Sequence, residues 1–151
     1  VEGTESTTCK NTGVLQNFNN SNFSKITTSS NLITFRNNLS ENYDPARIVY
    51  YTNNNSIGNW LIGFKYKIDT NPDIRPNRDY YPWFTTLTSS GQESKSLSVI
   101  ENEWMEITEY IPNTRLSSID LHISKNENVS YADNSTLELS VKDFYIYNLS
   151  E

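Results

Sequence analysis

Apolar and polar residues alternate along much of this chain. From Trp60 to Ile68 (WLIGFKYKI), Trp60, Ile62, Phe64, Tyr66 and Ile68 fall on one face, with Leu61, Gly63, Lys65 and Lys67 on the other. Period two over such a run is the signature of a half-buried strand. Ser118 to Ser124 (SIDLHIS) repeats it, with Ile119, Leu121 and Ile123 inward and Asp120 and His122 outward. Leu137 to Leu149 (LELSVKDFYIYNL) repeats it again. Further strands are expected at Val14–Gln16, Leu32–Arg36, Arg47–Thr52, Tyr80–Leu87, Ser96–Ile100 and Trp104–Ile111. Polar turns separate them, at 53–59, 69–77, 89–94, 112–114 and 126–128. No stretch carries apolar residues at helical spacing behind a cap.

About nine short strands joined by polar turns predict an all-β fold, an antiparallel β-sandwich. The expected core is Leu32, Ile33, Ile48, Tyr50, Ile62, Phe64, Tyr66, Ile107, Ile119, Leu121, Ile123, Leu137, Leu139, Val141 and Ile146. The domain is expected to run from 13 to 151, with residues 1–12 a polar linker or tail.

Composition refines this picture. Apolar residues are only 35% of the 151, but ten Tyr, six Phe and three Trp are among them. Each aromatic buries roughly 150–250 Å², so a core is still within reach. The net charge of -6, without a basic cluster, argues against nucleic acid and against an anionic membrane surface. No apolar run is long enough to be inserted across a bilayer as a helix. The single cysteine, Cys9, lies in the polar leader, so no disulfide forms within the domain. Seven N-x-[ST] sequons reflect the abundance of Asn, Ser and Thr and do not argue for a glycoprotein.

Signs of catalysis are thin. His122 is the sole histidine and reads as a surface or interface residue on the polar face of a strand. There is no nucleophile elbow and no glycine-rich phosphate loop. The acids read as solvated groups rather than a glycosidase pair. The aromatics are the sharper feature. Tyr80-Tyr81-Pro82-Trp83-Phe84 packs four of them into five residues. In a strand Tyr81 and Trp83 point away from Tyr80 and Phe84, so one pair faces outward or lies under a loop. Trp60 and Trp104 each open a strand. Such rings can lie flat against a sugar while polar groups take its hydroxyls. Trp83, Tyr81, Trp60 and Trp104 are therefore the candidate stacking residues, and Arg75, Asn77 and Asp79, from the loop before the cluster, the candidate polar contacts. At Asp143 the inward phase slips from Val141 to Phe144 and Ile146. A bulge accounts for the slip most simply; a buried calcium ligand accounts for it as well.

The run WLIGFKYKI at 60–68, NEWMEITEYI at 102–111, SSIDLHIS at 117–124 and LELSVKDFYIYNLS at 137–150 together resemble carbohydrate-binding jelly-roll modules. Modules of this kind are attached to bacterial polysaccharide hydrolases and occur in phage tail and baseplate proteins. The likeness covers about residues 60–150. It implies a jelly roll that binds a bacterial surface glycan or polysaccharide without catalysing a reaction, in an extracellular setting, secreted or on a virion. It needs no cofactor for that role, though in such modules the terminal-strand Asp helps hold a structural calcium, and Asp143 occupies the matching place. The rival readings are a structural domain of a virion or surface fibre that forms a homo-oligomer through its parent protein, and a small polysaccharide-cleaving enzyme.

Overall fold

The computed structural model describes residues 10–39, 45–71, 74–131 and 133–150. Cys9 and most of the polar leader lie outside them. Nine strands follow one short 3-10 turn at Leu15–Asn17: β1 Asn19–Ser21, β2 Ser24–Thr28, β3 Leu32–Asn38, β4 Ala46–Tyr51, β5 Ile57–Asn71, β6 Tyr80–Thr88, β7 Gly91–Ser96, β8 Met105–Lys125 and β9 Thr136–Asn148. All the ladders between them are antiparallel. No described helix is long and apolar enough to cross a membrane.

The strands form two facing sheets, a β-sandwich with the jelly-roll character expected. Sheet A has the order β1-β4-β8-β6-β7, and sheet B the order β2-β3-β9-β5-β8. β8 serves both because it is 21 residues long. Its first half pairs with β5 in sheet B, and its second half pairs with β4 and β6 in sheet A. The segment 112–114 is therefore no turn between two strands. Pro112 and Asn113 form a bulge in a continuous strand, with Asn113 at φ 53 and its N–H bonded to Asn59 Oδ1 at 2.9 Å. A bulge accepts a proline because the ladder is interrupted there, and it bends the strand from one sheet to the other.

Other boundaries also moved. Val14–Gln16 leads into the 3-10 turn rather than a strand, and the expected strand at 96–100 is displaced to β7. β7 is exposed at every position, so it carries no alternation to read. Asn11 and Thr12, read as tail, bond to β9 at Phe144 and Ile146.

The inward residues meet across the sandwich. Phe64 of sheet B faces Phe84 of sheet A with ring centroids 5.6 Å apart, and Tyr50 of sheet A faces Phe144 of sheet B at 4.8 Å. Every expected core residue is buried except Leu32, which is half-buried at the start of β3.

Gly58 is held by a close approach. A Cβ there would stand 2.2 Å from the side-chain oxygen of Asn148, which is buried on β9. Gly58→Ala is therefore expected to cost about 1–3 kcal/mol of stability, the range for overpacking a filled site. Urea denaturation measures it. A variant as stable as the parent would show that the Asn148 side chain can yield.

Candidate ligand-binding site

Strand parity fixes which residues face out of sheet A. In the second half of β8, Ile119, Leu121 and Ile123 enter the core, so Asp120, His122 and Ser124 face outward. In β6, Tyr80, Pro82, Phe84 and Thr86 face in, and Tyr81, Trp83, Thr85 and Leu87 face out. β4 contributes Arg47, Val49 and Tyr51 to the same outer face.

Register then sets these side chains in rows. Arg47 is opposite His122, and His122 is opposite Trp83. Val49 is opposite Asp120, and Asp120 opposite Thr85. Tyr51, Ser118 and Leu87 form a third row, and Ser124 with Tyr81 a fourth. The row of Arg47, His122 and Trp83 pairs two rings. The rings of Trp83 and His122 lie 18° from parallel with centroids 6.4 Å apart. Tyr51 (55%) and Leu87 (42%) stand exposed at one end, and half-buried Tyr81 lies at the other.

A charged cluster braces this surface. Asp120 is buried, although it lies on the outer face. Arg47 Nη2 donates to its Oδ2, and His122 Nδ1 lies 3.1 Å from its Oδ1. Burial pushes the Asp120 carboxyl up, but the hydrogen bonds and charges of His122 and Arg47 outweigh that and hold it below the usual carboxylate range. An Asp–His pair of this kind orients the imidazole in nucleophilic triads. Here the same carboxylate instead carries a guanidinium as its second partner, so the cluster positions donors on the face.

Depressed carboxyls make the fold acid-sensitive. Asp79 is also held low, by hydrogen bonds from the Arg78 side chain and the Arg75 backbone. A carboxyl with a depressed folded-state pKa stabilises fully above its unfolded value, near 3.8, and loses that contribution as pH falls through the folded value. The melting temperature is therefore expected to show no loss from these groups between neutral pH and about 5, and to fall steeply below about 4. Asp120→Asn should shallow that acid limb. An unchanged limb in the variant would assign the acid sensitivity to other groups.

The residues singled out in the sequence disperse. Trp83 and Tyr81 share the outer face of sheet A. Trp60 does not: it is 1% exposed, inside the sandwich, and its Nε1–H is satisfied by the Thr114 carbonyl at 2.9 Å. Its position in the strand has inward parity, and burial of the ring rules it out as a platform. Trp104 lies against the other sheet. The ammonium groups of Lys142 and Lys67, outward residues of sheet B, sit 4.1 and 5.2 Å from its ring centroid. It cannot share a surface with Trp83.

Asp79 is buried, with both carboxylate oxygens engaged by Arg78 and the Arg75 backbone. It closes the loop before β6 rather than contacting a ligand. Arg75 and Asn77 are exposed in that loop, which enters β6 beside Tyr81; Asn77 takes φ 60 at its turn.

Asp143 is exposed, at φ 54, in a bulge where two residues of β9, Asp143 and Phe144, oppose the single Phe64 of β5. The extra residue turns Asp143 out and Phe144 in, which is the slip seen in the sequence. Its partners are the Asn31 amide at 2.9 Å and the Lys65 ammonium at 3.5 Å. Calcium requires roughly six to eight oxygens. A lone carboxylate facing an ammonium does not fit it, and no group of three metal-ligating acids, histidines or cysteines converges among the described residues.

Arg47, Asp120 and His122 were missed as a unit. Their outward parity was legible, but their assembly depends on β4, β8 and β6 being neighbours, which local sequence does not state.

No family model and no curated protein matches the sequence. Among solved structures, the agarase AgWH50C superposes with a TM-score of 0.59 at 10% identity, over 88% of this chain and 24% of that one. A family 29 carbohydrate-binding module complexed with cellulohexaose gives 0.51 at 9% identity, over 94% and 92%. The CBM22-1 xylan-binding domain of Xyn10C from Paenibacillus barcinonensis gives 0.50 at 11%, over 91% and 88%. The chain thus spans about a quarter of the agarase and most of each module. It shares the fold of carbohydrate-binding modules.

Proposed function

We propose that this domain is a non-catalytic carbohydrate-binding module that takes a cell-surface glycan or polysaccharide on the outer face of sheet A. The observation that carries the reading is the Trp83–His122 pair. Two rings directly opposite on adjacent strands and nearly parallel give a sugar ring an aromatic surface to lie against. Tyr81, Tyr51 and Leu87 extend that surface along the sheet, and Ser94, Ser96 and Ser124 supply hydroxyls around it. A mostly apolar floor with a few placed polar groups is the usual character of a small-ligand site. The neighbours in fold that bind cellulohexaose and xylan support the same class of ligand. The setting that suits such a module is extracellular, in a secreted or virion-surface protein.

A glycan and cell-wall polysaccharide array, followed by tryptophan-fluorescence titration, tests the proposal. A saturable hit that shifts the emission is the expected result. A folded protein that binds nothing on the array refutes it.

A second reading, assembly with neighbouring copies, is favoured by one feature. The outer face of sheet B groups Leu61, Tyr110, Tyr145 and Tyr147 in register on β5, β8 and β9, with Tyr110 56% exposed. Light scattering would reveal it as a stable oligomer that Tyr110→Ser dissolves.

A further inference from the structure

The outer face of sheet A differs in charge from the rest of the molecule. The chain carries 18 Asp and Glu against 12 Lys and Arg. Yet among the described residues, the outward positions of β1, β4, β6, β7 and the second half of β8 include a single carboxylate, Asp120. That carboxylate is withdrawn from solvent, with its Oδ2 taken by Arg47 and its Oδ1 facing His122. Arg47 itself remains half-exposed, its side chain 53% accessible.

The charged pair therefore presents donors and no acceptor. Arg47 gives Asp120 one N–H from Nη2, and its Nε and Nη1 have no partner among the described residues. A neutral sugar hydroxyl is served about equally by donors and acceptors. A carboxylate is served by donors alone, and best by the planar fork of a guanidinium. Asp120 acts as the positioning residue, because an arginine fixed at one nitrogen loses less freedom when its other nitrogens bind. Arg47 also stands at the right remove. It is two strands from Trp83 in one row, about 10 Å between backbones, so a sugar on the Trp83 ring places its neighbour toward Arg47.

We propose that the ligand of this face is an acidic glycan, whose rings lie on the Trp83–His122 floor and whose uronate carboxylate is held by Arg47. The inference rests on the glycan-binding reading above. It selects among glycans by charge, which that reading does not.

The test pairs each acidic polymer with its own neutral form. Polygalacturonate, alginate and glucuronoxylan are each compared with their carboxyl-reduced derivatives by affinity electrophoresis and calorimetry. The proteins are the parent, Arg47→Gln, Arg47→Lys and the double variant Arg47→Gln/Asp120→Asn. The double variant leaves no unpaired carboxylate behind, so it keeps the test valid if Arg47→Gln alone fails to fold. At least one acidic polymer is expected to bind about ten-fold more tightly than its reduced form, the scale of one charge-assisted hydrogen bond. That preference should shrink with added salt, be lost in the Gln variants and survive in part in Arg47→Lys. Equal affinity for acidic and reduced forms, or a preference unchanged in the Gln variants, overturns the acidic-ligand inference and leaves glycan binding standing. If the parent binds no polymer of either kind here or on the wider array, the glycan reading falls, and this inference with it.

Discussion

Trp60→Ala is expected to lower the unfolding free energy by about 3–5 kcal/mol, the range for emptying a large aromatic site in a packed core. Trp60 is among the largest fully buried side chains, and its indole N–H is bonded to the Thr114 carbonyl. The substitution thus removes the ring and also leaves a buried carbonyl without its donor. Thr114 lies just past the bulge, where β8 makes its last pairs with β5 before joining sheet A, so the loss falls on the corner between the two sheets. Urea denaturation should show a lower midpoint with an unchanged slope. The folded fraction should bind ligand as the parent does, since the ring faces away from sheet A's outer surface. A near-neutral effect on stability accompanied by lost binding would place Trp60 at the ligand after all.

The contrast between Trp60 and Trp83 shows what the sequence could and could not reveal. Alternation assigned Trp60 to the same face as Ile62 and Phe64, which is the core, so its burial was legible from parity alone. Its position at a strand start suggested a stacking platform only because the strand is expected to begin there; β5 in fact starts at Ile57. For β6 the pattern was ambiguous, since Tyr80-Tyr81-Pro82-Trp83-Phe84 is aromatic on both faces. Only the packing of Phe84 on Phe64 decides that Trp83 faces out.

The fold class and nearly all of the core came through because period two is imposed by the backbone itself. The bulge at Asp143 also showed, as a slip in the apolar phase; the one at Pro112 and Asn113 did not, because it depends on a single residue in an unusual conformation. Among the described residues, seven other than glycine have positive φ; six are asparagines and the seventh is Asp143. Asn and Asp tolerate the left-handed region better than other side chains. Part of the asparagine bias, which resembles a compositional accident in the sequence, therefore serves the backbone in a chain with only five glycines. The Arg47–Asp120–His122 cluster was illegible for another reason. Its members come from strands whose adjacency is set by the jelly-roll connections, and an alternating polar residue says nothing of which neighbour it will meet.

Trp83→Ala is expected to weaken ligand binding at least 30-fold, the equivalent of about 2 kcal/mol for a central aromatic anchor. The ring is half-buried on the outer face, opposite His122, so its removal should cost the fold only about the value of a cross-strand pair, under 1 kcal/mol. Binding and stability thus separate in this variant and move the other way in Trp60→Ala. Fluorescence adds an independent readout. Trp60 is sealed in the core and Trp104 is covered by two lysine ammoniums on the opposite sheet, so a ligand-induced emission shift should arise from Trp83. Trp104→Phe should keep the shift. Trp83→Phe should retain part of the affinity, because a ring still floors the site, and lose the shift. If Trp83→Ala binds as the parent does, the ligand lies off this face, and the tyrosines of sheet B are the next surface to probe.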